Sequence, residues 1–122
     1  MKYLIIVLSI ILLNFNISFA NISISSTELF SIYDENEIKG DSRYKGKELI
    51  VKGEVESVGR DLTNKIYISL EGDGFIRHVQ CFFDEEYIDE VSEVKKGSVI
   101  EVRGICRGIF INVMIDKCKI VR

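Results

Sequence analysis

The chain has 122 residues, enough for one domain, and 47% hydrophobic with 29% charged residues is the balance of a folded globular protein, which excludes intrinsic disorder. Its 16 Lys and Arg against 19 Asp and Glu give a formal charge of −3. Proteins that track nucleic-acid phosphates normally carry a basic face, because counterion release supplies most of their affinity, so this charge weighs against that class.

The first 20 residues, MKYLIIVLSIILLNFNISFA, place one Lys2 before an aliphatic run from Tyr3 to Leu13 and end on Ser18-Phe19-Ala20. A positive start, an apolar core of about 11 residues and a small-x-small ending are the parts of a secretory signal peptide. We therefore expect residues 1–20 to be a leader and 21–122 the mature domain, periplasmic or secreted. Tyr3 to Ala20 also approaches the shortest helix that spans a bilayer, so a retained anchor is the competing reading. Cysteine is absent from that junction, which argues against a lipid-anchored form. Removal of the leader takes one cation and no acid, so −3 becomes −4.

Ser25 with Glu28 three residues later forms a capping box, and Leu29, Ile32 and Tyr33 recur at helical spacing, predicting a helix from Ser26 to about Ile38. From Lys47 to Val58 the period changes to two. Leu49, Val51 and Val55 hold one parity with Gly53 among them, and Glu48, Lys52, Glu54 and Glu56 hold the other. Lys65–Leu70 is the second strand, and the third runs from about Phe75 to Phe83 after the Gly72-Asp73-Gly74 turn. Asp84 can cap a short amphipathic helix carrying Tyr87, Ile88, Val91 and Val94 and closing at Lys95-Lys96-Gly97. The fourth strand follows in SVIEVRGIC and, after a turn at Arg107-Gly108, the fifth runs from about Ile111 to Val121.

Helix, three strands, helix, two strands is the order of a mainly β fold, the five-stranded OB-fold Greek-key barrel with an N-terminal helix and a short helix between strands three and four. Gly53 then gives the first strand the bend it needs to reach two neighbours. A flat α+β sheet with two helices on one face is the alternative fold.

The strings NEIKGDSRYKGKELIVKGEVESVGRD, YISLEGDG, VQCFF, VKKGSVIEVRGICRG and DKCKIV, spanning about Ser26 to Val121, resemble the tRNA_anti-like family of small bacterial OB-fold proteins. That resemblance implies an exported or membrane-associated OB domain. The family name records a fold analogy and does not establish RNA binding. Gly40 departs from the small helix-forming residue, such as alanine, expected at its position.

Nothing in the pattern makes a catalytic constellation. His78 and Cys81 are three apart on a strand and point to opposite faces, so they do not share a metal. Asp84-Glu85-Glu86 is a solvated helix start, and Gly72-Asp73-Gly74 a hairpin turn with no helix after it to hold a phosphate. We expect no cofactor and no enzyme activity. Cys81, Cys106 and Cys118 all share the inward parity of their strands. Export places them where disulfides form, and a Cys106–Cys118 bond with Cys81 reduced is expected because the last two strands are neighbours. Cys81–Cys118 is the rival pair if the turn centres near Gly108 to Ile111, because strand five also borders strand three.

OB domains present ligands on the outer side of strands two and three, between the loops joining strands one and two and strands four and five. The outward parity there carries Tyr67, His78, Gln80 and Phe82, and the loops add Arg60, Lys65, Arg107 and Phe110. Aromatics beside cations can stack bases or sugars or anchor a protein. The competing expectation is that Tyr67 and Phe82 pack beneath the first helix. Two functional classes follow: an exported non-catalytic binding or interaction module whose partner is an unidentified protein or small ligand of the cell envelope, and a single-stranded nucleic-acid binder.

Overall fold

The computed structural model describes residues 22–74 and 76–121. The expected leader, residues 1–20, lies outside them. The elements in chain order are β1 (Ile22–Ser25), α1 (Ser26–Glu35), α2 (Glu37–Tyr44), β2 (Glu48–Arg60), β3 (Ile66–Asp73), β4 (Arg77–Phe83), a 3-10 turn (Glu85–Tyr87), α3 (Ile88–Ser92), β5 (Val99–Phe110) and β6 (Asn112–Ile120).

The sheet order is β1-β2-β3-β4-β6-β5, and β5 returns to β2 to close a five-stranded barrel. Closure is possible because β2 is long and changes partner: Glu48 to Glu54 pair with β5, and Val55 to Arg60 with β3. A register shift between Val55 and Ser57 sharpens the coil at that exchange. Gly53 precedes it by two residues, and its role proves more specific than a bend. A Cβ at Gly53 would stand 2.2 Å from Ser26 Oγ, so the gap in the apolar row is where α1 presses its first residue against the barrel wall. β4 and β6 run parallel, with Val79 opposite Val113 and Cys81 opposite Ile115, as the Greek key demands.

The first helix starts as expected, with Ser25 Oγ accepting from the Glu28 amide at 3.1 Å. It does not continue to Ile38. Asn36 takes an extended conformation and caps a second helix by accepting from the Lys39 amide at 3.1 Å. Gly40 lies in α2, where a Cβ would come within 2.5 Å of the Tyr33 ring, so an alanine would force the two helices apart. Leu29, Phe30 and Tyr33 enter the core, and Tyr33 is hydrogen bonded to the Cys106 thiol at 3.5 Å. Burial, then the Cys106 thiol and the Asp41 carboxylate beside it, pushes the Tyr33 phenol far above its usual range.

Four further boundaries differ from expectation. Ile22–Ser25 forms a sixth strand, parallel to β2, in a stretch expected only to lead into the helix. The third barrel strand starts at Arg77, not Phe75. Asp84 makes no side-chain cap, and the segment after it is one 3-10 turn plus the five residues of α3, which buries Val91. Gly108 has a left-handed φ of 96°, yet it sits within a register shift inside β5, and the hairpin turns at Ile111 instead.

That last difference bears on the register of the expected Cys106–Cys118 disulfide. With the turn at Ile111, Cys106 stands opposite Ile115, and Cys106 and Cys118 are buried free thiols in the structure, as is Cys81. A Cys106–Cys118 bond would need partners whose backbones face each other.

Candidate binding face

The outer parity of β3 and β4 brings together four of the expected residues. Tyr67 is in register with Phe82, Ser69 with Gln80, and Glu71 with His78. The parallel neighbour β6 widens this face, because Gln80 is in register with Met114, and Asn112 reaches across to β4. Asn112 Oδ1 accepts from the His78 backbone amide at 2.9 Å, and its amide nitrogen donates to Gln80 Oε1 at 3.4 Å. His78 is half-buried, and its Nδ1 has no hydrogen-bond partner.

Phe82 is 5% exposed, which answers the competing expectation in an unanticipated way. It is not part of the hydrophobic core that contains its neighbours Cys81 and Phe83. It lies on the outer side beside Tyr67, and the Lys65 ammonium stands 5.7 Å from its ring centroid. A cation over an aromatic face is electrostatically favourable and also shields the ring from water. α1 instead has Arg77 over Phe30, 4.8 Å from its ring, with Arg77 ion-paired to Asp34. Tyr67 remains half-exposed, and the missing side chain of Gly59 leaves room for its hydroxyl: a Cβ there would stand 3.2 Å from it.

Lys65 is held in place by its own loop. Asp61 Oδ1 accepts from the Thr63 hydroxyl at 2.7 Å and from the Thr63 and Lys65 amides at 2.9 Å each. These bonds, the Thr63 hydroxyl first, hold the Asp61 carboxyl below the usual carboxylate range. The Lys65 ammonium also lies 3.6 Å from Asp116, and Arg107 Nε donates to the same carboxylate at 3.4 Å. One acid on β6 therefore serves two of the three cations expected on the face.

Of the other two candidates, Arg60 stands apart and Phe110 lies at the far end of the face. Arg60 shares the parity of Val58, pairs with Glu85 and donates to the Asn64 carbonyl at 2.9 Å, away from the aromatic pair. Phe110 is 77% exposed at the far end of the face, on the hairpin tip beside Ile111. His78 and Phe82 are four residues apart on β4, so the face runs for about 13 Å between the aromatic pair and that tip. Asn112, Met114 and Asp116 were absent from the sequence-based set. Their alternation with Val113 and Ile115 would have located them had outward parity been followed onto the last strand.

Among the described residues no group of three or more His, Cys, Asp or Glu is arranged to hold a metal ion. No described helix is long and apolar enough to cross a membrane.

A crystallised lipoprotein from Klebsiella pneumoniae, provisionally described as nucleic acid-binding, superimposes with a TM-score of 0.64 at 15% identity, over 82% of this chain and 92% of its own. An aspartyl-tRNA synthetase assigned in Leishmania major gives a TM-score of 0.53 at 14% identity, over 87% of this chain but 22% of the enzyme. The asparaginyl-tRNA synthetase of Pyrococcus horikoshii gives 0.46 at 18% identity over 66% of this chain and 21% of its own. The chain thus spans about a fifth of either synthetase. Likeness at this identity establishes the OB fold and nothing about ligands. No curated protein sequence matches the chain. The profile of the tRNA_anti-like family matches residues 14–120, and the chain belongs to the tRNA_anti-like family.

Proposed function

We propose that the protein is an exported, non-catalytic binding module that engages a protein or small ligand of the cell envelope through the outer face of β3, β4 and β6. The observation that carries this reading is the pairing of Lys65 and Arg107 with the single carboxylate of Asp116. A phosphate-tracking surface presents uncompensated cations, whereas here two cations and an acid leave one net positive charge beside Tyr67 and Phe82. Such a surface suits a ligand recognised by aromatic contact and directional hydrogen bonds, supplied by Tyr67, Gln80 and Asn112. Membership of an OB-fold family supports the binding-module part. Export is supported by the leader-like residues 1–20 and by the description of the Klebsiella protein as a lipoprotein.

Single-stranded nucleic-acid binding is the second reading. It is favoured by the Lys65-covered Phe82 beside Tyr67 on an OB face and by the provisional description of the same neighbour. Titration of a mixed-sequence single-stranded oligonucleotide at about 50 and 200 mM salt separates the two. The interaction-module reading predicts no saturable binding at either salt. Saturable binding that weakens steeply with salt and is lost in Tyr67→Ala would replace it with the second reading.

A further inference from the structure

We propose that a second cavity, between the 3-10 turn and the β5–β6 wall, binds a small zwitterion: an α-amino acid or dipeptide whose ammonium and carboxylate ends are both free. The cavity holds about 350 Å³, the scale of a small-molecule site, and none of the eight residues expected on the outer face lines it. It owes its character to a break in β6. Regular alternation after Ile115 would point residue 117 inward. Lys117 instead adopts a left-handed φ of 52°, and a register shift between Arg103 and Ile105 accommodates the extra residue. This β-bulge turns Cys118 into the barrel and leaves Lys117 and Lys119 both exposed, with Lys119 in register with Arg103.

The β5–β6 wall is therefore basic, and like charges in register on a sheet repel. Glu48 offsets one of them, accepting from Arg103 at 3.0 Å. The other lining element is acidic. Asp84 and Glu86 flank Glu85 at the 3-10 turn, and Glu85 pairs with Arg60 instead of entering the cavity. Among the described residues Asp84, Glu86 and Lys117 make no ion pair and no side-chain hydrogen bond, although all three line the same cavity. The Lys119 ammonium stands 6.0 Å from the centroid of the Tyr87 ring, another lining residue. Opposite charges that share a cavity without closing into pairs leave room between them for a molecule that carries both.

The lining selects against simpler ligands. An inorganic anion would be repelled by Asp84 and Glu86, and a metal ion by the lysines. A zwitterion is matched at both ends: its ammonium donates to the Asp84 and Glu86 carboxylates, and its carboxylate accepts from Lys117 and Lys119. Charge-assisted hydrogen bonds of this kind are the strong ones. Between the two ends, half-buried Tyr87 and Ile105 give apolar contact to a short side chain. The site stands or falls independently of the face proposed on β3, β4 and β6.

The test is an amide NMR titration of the purified protein with alanine and with dialanine, followed by N-acetyl-dialanine and dialanine amide, which each lack one charge. The expected result is saturable shifts at Glu86, Tyr87, Lys117 and Lys119 with alanine or dialanine, and affinity lower by about tenfold when either end is blocked. Lys117→Asn, chosen because Asn tolerates a left-handed φ, and Glu86→Gln should each weaken binding by about tenfold. Glu85→Gln, whose carboxylate serves Arg60, should not. No saturable shift at these residues with either probe, equal binding of the blocked compounds, or a loss in Glu85→Gln as large as in Glu86→Gln would overturn the proposal. If a variant does not fold, the blocked compounds on the wild-type protein decide alone.

Discussion

Tyr33 shows how one side chain couples the helical cover to the barrel. Its ring occupies the space that Gly40 leaves in α2, and its hydroxyl bonds Cys106 of β5. The phenol is raised above its ordinary value of 10.0, and the Cys106 and Cys118 thiols above 9.0, in each case chiefly by burial. A raised pKa means the folded protein holds its proton where the unfolded chain has released it, so the stabilisation is complete below the unfolded value and lost as pH rises beyond it. Unfolding free energy of the reduced protein should therefore not vary with pH through these groups below about pH 9 and should decline above it, by at most about 1.4 kcal/mol per pH unit for each group. Denaturant titrations between pH 7 and 11 check this. Tyr33→Phe should remove the part that begins near pH 10, and an unchanged alkaline limb in that variant would show that the phenol is not involved. Tyr33 was legible as a core residue from its helical spacing. Its hydroxyl partner was not, because Cys106 lies 73 positions away and the sequence does not encode which barrel end α1 covers.

The elements divide according to how local their causes are. The start of α1 was readable because a capping box is written within four residues, and the alternation of β2, β3 and β5 because one face of each is buried. β1 was hidden: ISIS is too short to register as a strand and is fixed by its pairing with Leu49 to Lys52 of β2. Gly108 misled because a left-handed glycine serves a hairpin turn and a bulge equally well, and only the partner strand distinguishes them. Gly53 is the converse case, a residue correctly noticed whose cause lies on another element. Gly53→Ala would drive a methyl into Ser26 Oγ and should destabilise the protein by roughly 1–3 kcal/mol. Pairing it with Ser26→Gly, which removes the obstructing atoms, should cost clearly less than the sum of the single changes. Additive losses in chemical denaturation would mean that the contact is not what excludes a side chain there.

At the scale of the molecule, the order of the strands follows from the pattern of elements, and with it the position of the face proposed here for binding. Seven of the eight candidate residues lie on or beside that face, Phe110 at its far end, and its charge could not be judged from them alone. Lys65 and Arg107 looked free in the sequence, and each has Asp116 as a partner, supplied by a strand 9 to 51 residues further along and brought there only by barrel closure. The same closure explains why Phe82 is covered without joining the core and why Arg60 turns to Glu85. The claim that the outer face of β3, β4 and β6 is the working surface is tested most directly by site-specific photocrosslinking in cells that produce the protein. A photoreactive phenylalanine analogue is placed at Tyr67, at Phe110, and at the exposed Lys52 on the opposite parity of the barrel wall. The account predicts the same discrete adduct from positions 67 and 110 and none from position 52. Adducts from position 52 alone, or an adduct at position 67 that nuclease digestion removes, would contradict it.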